Sequence, residues 1–202
     1  MGFRTYKTLG DVLKAYSIRY EEAGLPTERN TWPAPSELHE EITFNRTEIA
    51  YDASEAAICE NVIYPILRAV WKPYRQTFAI WSHKPIELND ELSGVPDYIF
   101  ARKSVLGKVV FDTPYVAMVE AKKEDFTMGW AQCALEMYTI QQLNQDGNPV
   151  YDIVSNGDLW EIGILSPHKL ILYKDTLACD DLNGLFSALT YVLETCKRIY
   201  NL

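Results

Sequence analysis

The chain has 202 residues, a length suited to a single core with a modest extension rather than two independent ones. Apolar residues make up 48% and aromatic residues 12%, which excludes a disordered or repetitive fibrous chain. The excess of 28 acidic over 19 basic residues gives a net charge of −9, which excludes attachment to a polyanion by bulk positive charge, so any polyanion must meet a local basic patch or bound cations.

Leu9, Val12, Leu13, Tyr16 and Tyr20 recur at helical spacing and predict an amphipathic helix over residues 8–22. Gly24, Pro26, Pro33 and Pro35 then mark a loop and the boundary between an N-terminal extension, residues 1–50, and the main domain, residues 51–202. Residues 36–50 carry no clear pattern. From Asp52 to Trp71 a wide apolar face built on Ile58, Val62, Ile66 and Val70 predicts a core helix, bent near Pro65. Strands are expected at Thr77–Trp81, Asp97–Arg102, Lys108–Phe111 and Tyr115–Ala121. A helix over 127–144 ends at the Asp146–Pro149 breaker. Val150–Ser155 and Leu159–Leu165 then read as a hairpin joined by a type I′ turn at Asn156-Gly157. Lys169–Tyr173 adds a strand, and Leu182, Leu185, Phe186, Leu189, Val192, Leu193 and Cys196 make the stripe of a buried C-terminal amphipathic helix. The order predicts an α/β fold, one mixed sheet with helices against its faces. No apolar run approaches the length of a membrane span, and Met1–Lys7 lacks a signal h-region, so a soluble, cytoplasmic protein is expected. Cys59, Cys133, Cys179 and Cys196 are scattered without a C-x-x-C pair, which argues against a zinc cage or a disulfide framework. His39, His83 and His168 lack a nucleophile motif and read as surface or packing residues.

Chemistry concentrates in Gly94–Phe100 and Val116–Lys123. Strict alternation along the second run puts Tyr115, Val119 and Ala121 on one face and Val116, Met118, Glu120 and Lys122 on the other. Both faces begin apolar, so Glu120 and Lys122 emerge as charges near the end of a strand buried on both sides. If the Asp97 and Glu120 strands pair antiparallel, directly or around an excursion, Asp97 approaches Glu120. Two adjacent carboxylates repel, and a shared divalent cation relieves them, so Asp, Glu and Lys at one strand end suit a hard metal such as Mg²⁺. The structural alternative is a turn residue after Pro96 and an alternating surface pair.

Pro96-Asp97 followed by Glu120-Ala121-Lys122 resembles the signature of the PD-(D/E)XK nuclease superfamily. Ser54–Ala57 with Val62–Leu67 is similar to the first helix of the nuclease domains of type I restriction enzyme motor subunits and their standalone relatives. Gly129–Gln132 resembles the helix that follows the signature, and Ser155–Gly157 with Trp160 the next hairpin. The resemblance spans residues 52–165. It implies a restriction-endonuclease-like core in αβββαβ order and a metal-dependent endonuclease acting on DNA. It further implies Mg²⁺, with Mn²⁺ as a substitute, held by Asp97, Glu120 and Glu55, with Lys122 and Gln132 completing the site. Capping and the helix dipole alone would also explain Glu55, and Glu60 is its substitute as the helix's site acid. Gln132 could equally be solvated, and Tyr138 could stack near the site but suits the core better. Arg68, Lys72, Arg75, Arg102, Lys103, Lys108 and Lys123 are candidates for phosphate contacts. The sparse positive charge suggests help from a homodimer or a partner subunit. The alternatives are a non-catalytic nucleic-acid-binding or protein-interaction module on the same fold and, more remotely, a glycosidase with paired carboxylates, which the intervening Lys disfavours.

Overall fold

A computed structural model describes residues 3, 6–26, 32–123 and 126–202. The chain is a mixed α/β protein whose main sheet has, among the described residues, eight strands: β1 (Arg19–Ala23), β2 (Phe78–Ser82), β5 (Tyr98–Lys103), β6 (Phe111–Ala121), β7 (Val150–Ser155), β8 (Leu159–Ser166), β9 (Lys169–Tyr173) and β10 (Leu177–Ala178). Across the sheet the order is β1-β9-β8-β7-β6-β5-β2, with β10 paired to β8. A separate ribbon pairs β3 (Ile86–Glu87) with β4 (Ser93–Gly94). β2, β5 and β6 run antiparallel, while β6 and β7 are parallel and joined by α5 (Phe126–Asn144). A helix, three antiparallel strands, a helix and a parallel strand reproduce the αβββαβ order expected of a restriction-endonuclease-like core.

Two apolar clusters bury the two faces of the sheet against helices. One face buries α2 (Ser36–Glu48), α4 (Tyr64–Trp71) and α6 (Leu182–Ile199) through Leu38, Ile42, Ile66, Val70, Leu185 and Leu189. The other buries α5 with α1 (Leu9–Ala15), through Leu135, Met137, Ile140 and Val12. Every stripe residue expected on α6 is buried, each side chain contributing about 1.5–3 kcal/mol. Among the described residues, no helix is long and apolar enough to cross a membrane.

Several local expectations fail for identifiable reasons. The helix over 8–22 stops at Ala15, Ser17 takes a positive φ of 54°, and Arg19–Ala23 becomes β1, parallel to β9 in the register Tyr20↔Leu170. Pairing with a strand some 150 residues away overrides local periodicity there. Of the expected 24–35 loop, residues 27–31 lie outside the described residues. Residues 36–48 form α2 with only Leu38 and Ile42 buried, too sparse a stripe to read. Lys108 to Phe111 is no separate strand, since β6 starts at Phe111 and runs on unbroken to Ala121. A bulge opposite Phe100 and Ala101 breaks its alternation, so that Val116 joins Ala117 and Val119 in the first cluster while Tyr115 joins Met118 in the second. The 156–158 turn is not type I′: Gly157 alone has positive φ, 89°, and the Asn156 side-chain oxygen accepts from the N–H groups of Asp158 (3.1 Å) and Leu159 (2.8 Å).

The expected bend near Pro65 takes the form of a π-helical turn, Cys59–Ile63, between α3 (Glu55–Ile58) and α4. Pro65 has no N–H to offer the carbonyl of Asn61 four residues back. Asn45 of α2 supplies the missing donor, its Nδ2 lying 2.8 Å from that carbonyl. Asn45→Ala is therefore expected to lower stability by about 1–2 kcal/mol in urea unfolding, the cost of stranding a partly buried acceptor.

Candidate active site

At the end of the sheet where β5 begins and β6 ends, a cavity of about 520 Å³ is lined by Glu55, His83, Asp97, Glu120, Lys122 and Gln132, with Phe3 and Ser93–Val95 at its wall. All five residues singled out from sequence reach this one cavity. The antiparallel register Tyr98↔Val119 sets Asp97 beside the end of β6, where its Oδ2 accepts from the Ala121 N–H at 2.8 Å. Glu120 faces the α5 side and is almost fully buried. Its Oε1 accepts from Lys122 Nζ (2.5 Å) and Gln132 Nε2 (2.7 Å), whereas its buried Oε2 has no hydrogen-bond partner among the described residues. Glu55 opens α3 behind the Ser54 cap, and its Oε1 lies 3.4 Å from the Lys123 N–H.

These contacts set the charge states. Burial and then the Asp97 charge push Glu120 up to about 7 against the pull of Lys122 and Gln132. Burial also raises Asp97, although the Ala121 N–H and Lys122 oppose it. For Lys122, burial works against the charge, but Glu120 and Glu55 outweigh it and raise its pKa, so the amine stays protonated. Two acids strained upward beside an unpartnered carboxylate oxygen are a suitable donor set for a hard divalent cation. The three carboxylates of Glu55, Asp97 and Glu120 do not all approach within 4.8 Å; among the described residues, the triad that does is Cys133, Glu136 and Asp152.

Three residues at or beneath the cavity escaped sequence reading. His83, expected to be surface or packing, sits at φ 49° with Nε2 at 3.2 Å from Asp97 Oδ1 and its N–H at 2.9 Å from the Asp97 carbonyl. Only the β2–β5 pairing brings it there, so no local motif announces it. Glu136 accepts from Gln132 Nε2 at 2.8 Å, and Asp152 lies fully buried on the central strand β7. An Asp inside the otherwise apolar Tyr151–Val154 was the available signal. Glu60 does not line the cavity, and Tyr138 packs on Tyr16, ring centroids 4.5 Å apart.

Of the cations named from sequence, Lys123 adjoins the site, its backbone N–H 3.4 Å from Glu55 Oε1, while most of the others lie elsewhere. Arg68 pairs with Glu41 and Arg102 with Asp112. Arg75, Lys103 and Lys108 line a different groove with Trp71 and Trp81, at the other end of β5. The five steps from Tyr98 to Lys103 span roughly 17 Å. Gly129 lets α5 approach closely: a Cβ there would stand 3.0 Å from Val154 Cγ1 and 3.1 Å from Lys122 Cγ. Gly129→Val is expected to destabilise by about 1–3 kcal/mol in thermal or urea unfolding, by overpacking against β7 and the Lys122 stem.

No family model matches the chain, and no curated protein matches it significantly. Among solved structures it is similar over 75% of its length to the type IIG restriction endonuclease BpuSI, at a TM-score of 0.39 and 14% identity, and it spans 17% of that enzyme's chain.

Proposed function

We propose that the chain is a metal-dependent nuclease of the PD-(D/E)XK type that hydrolyses phosphodiester bonds in DNA. The observation that carries this reading is the convergence of Asp97, Glu120 and Lys122 from adjacent strand ends in one open cavity, with Glu120 Oε2 buried and unpartnered among the described residues. Asp97 and Glu120, with Glu55 at the rim, would hold the cation. When bound, Mg²⁺ or Mn²⁺ supplies neutralisation of the scissile phosphate and favours ionisation of the attacking water. Lys122 keeps its proton and sets an ammonium beside the phosphate, stabilising the negative charge that grows on its oxygens. Gln132 fixes the rotamer of Glu120 by donating to Oε1, and His83 restrains Asp97 through Oδ1. Water gives up a proton to solvent as its oxygen bonds to phosphorus; the P–O ester bond breaks, and the departing oxygen takes the electron pair and a proton from solvent.

The purified 202-residue chain is expected to nick or cut DNA with Mg²⁺ or Mn²⁺ and to stop when EDTA is added. Intact substrate across both metals and across single- and double-stranded DNA would refute the proposal. A non-catalytic DNA- or protein-binding module is the second reading; the pairing of Arg68 and Arg102 with acidic neighbours withdraws both from phosphate contact and favours its protein-binding form. It predicts binding that survives Asp97→Ala and Glu120→Ala and does not depend on cations.

A further inference from the structure

Next to Gln132 three acidic groups meet in the buried layer between α5 and β7. Cys133 and Glu136 stand three residues apart and so share one face of α5. Asp152 rises from the centre of β7. All three have zero exposure, and the Cys133 Sγ and one oxygen from each carboxyl lie within 4.8 Å of one another. Glu136 Oε1 is satisfied by Gln132 and Asp152 Oδ1 by the Ile153 N–H at 2.8 Å. Among the described residues Glu136 Oε2 and Asp152 Oδ2 have no hydrogen-bond partner while both carboxyls are ionised; Asp152 lies within side-chain hydrogen-bonding reach of Cys133 and Glu136, so shared protons or a cation must hold the three groups together. A buried polar atom left unpaired costs about 1–3 kcal/mol, and two in one pocket need a common explanation.

We propose that Cys133, Glu136 and Asp152 form a second metal centre, separate from the carboxylates of the cavity, that binds a thiophilic divalent transition metal such as Zn²⁺ or Fe²⁺. The donor set decides the class of ion. A thiolate with two carboxylates suits borderline metals and disfavours Mg²⁺, which prefers oxygen alone. One cation would engage the thiolate and both carboxylates together. Burial raises the pKa of all three groups, so the metal takes the place of protons when it binds. Gln132 is half-buried, lines the cavity and donates to both Glu120 and Glu136, so it is the side chain that links cavity and triad. The centre does not depend on nuclease activity.

The test is titration of the chelator-treated full chain with Co²⁺ alone, which gives a thiolate-to-cobalt charge-transfer band only if sulfur ligates. The band is expected in the native chain, retained in Glu120→Gln and lost in Cys133→Ser, with an equimolar amount of Zn²⁺ held through dialysis by the native chain and lost in Glu136→Gln. Absence of both the band and retained Zn²⁺ in the native chain would overturn the proposal and leave protons as the occupants, whether or not the variants fold. A band that survives Cys133→Ser, or vanishes instead in Cys59→Ser, would overturn it equally.

Discussion

Lys122→Ala, Asp97→Asn and Glu120→Gln are each expected to reduce DNA cleavage by about 10²- to 10³-fold at a Mg²⁺ concentration that just saturates the native chain, with far-ultraviolet circular dichroism unchanged. The reasons differ. Asp97→Asn and Glu120→Gln remove charge from the cation's donors, whereas Lys122→Ala leaves those donors in place and removes the ammonium beside the phosphate. Lys122 lies 2.5 Å from Glu120 with its side chain mostly buried. Lys122→Arg should therefore restore little: a planar guanidinium does not fit where a compact ammonium points at one oxygen. Raising Mn²⁺ should partly recover Glu120→Gln, a binding defect, and not Lys122→Ala. Equal cleavage by native chain and Lys122→Ala would remove the lysine from the mechanism.

In EDTA, folding stability is expected to fall as pH rises from about 4.5 through 7. Glu120 is raised in the fold from 4.5 to about 7, so the native state binds a proton that the unfolded chain has released. The stability associated with that proton is fully present below the unfolded pKa and is lost as pH climbs through the folded one. The loss from this group is on the order of 3 kcal/mol, from 2.5 pKa units at about 1.4 kcal/mol each. Asp97, Glu136 and Asp152 are also raised by burial and tilt the profile the same way. Urea denaturation at pH 5 and pH 8 should show the loss, and Glu120→Gln should show a smaller one. A Glu120→Gln slope as steep as that of the native chain would mean that Glu120 titrates normally. Added Mg²⁺ should flatten the native profile, since the cation offsets the same charges.

The heart of the site was legible because its information is local. Pro96-Asp97 precedes one strand and Glu120-Ala121-Lys122 ends another, and the two-residue period aims Glu120 inward where a charge is costly without a partner. Glu55 and Gln132 came from resemblance, and only tertiary packing carries them to the same cavity. The α6 stripe and the β7–β8 hairpin were readable for similar reasons of strong periodicity. What escaped is non-local or concealed by a broken rule. β1 depends on parallel pairing with a strand near the other end of the chain. The bulge near Val116 reverses the alternation that sequence spacing assumes. His83 needs the β2–β5 register to reach Asp97, and Glu136 is hidden in a helix whose neighbours are mostly apolar.

Mg²⁺ binding followed by titration calorimetry tests the central claim most directly, because Mg²⁺ avoids the thiolate of Cys133 and binding requires no turnover. Binding by the native chain, and its loss in Asp97→Asn combined with Glu120→Gln, is the expected result. Undiminished Mg²⁺ affinity in the double variant, or none in the native chain, would contradict it.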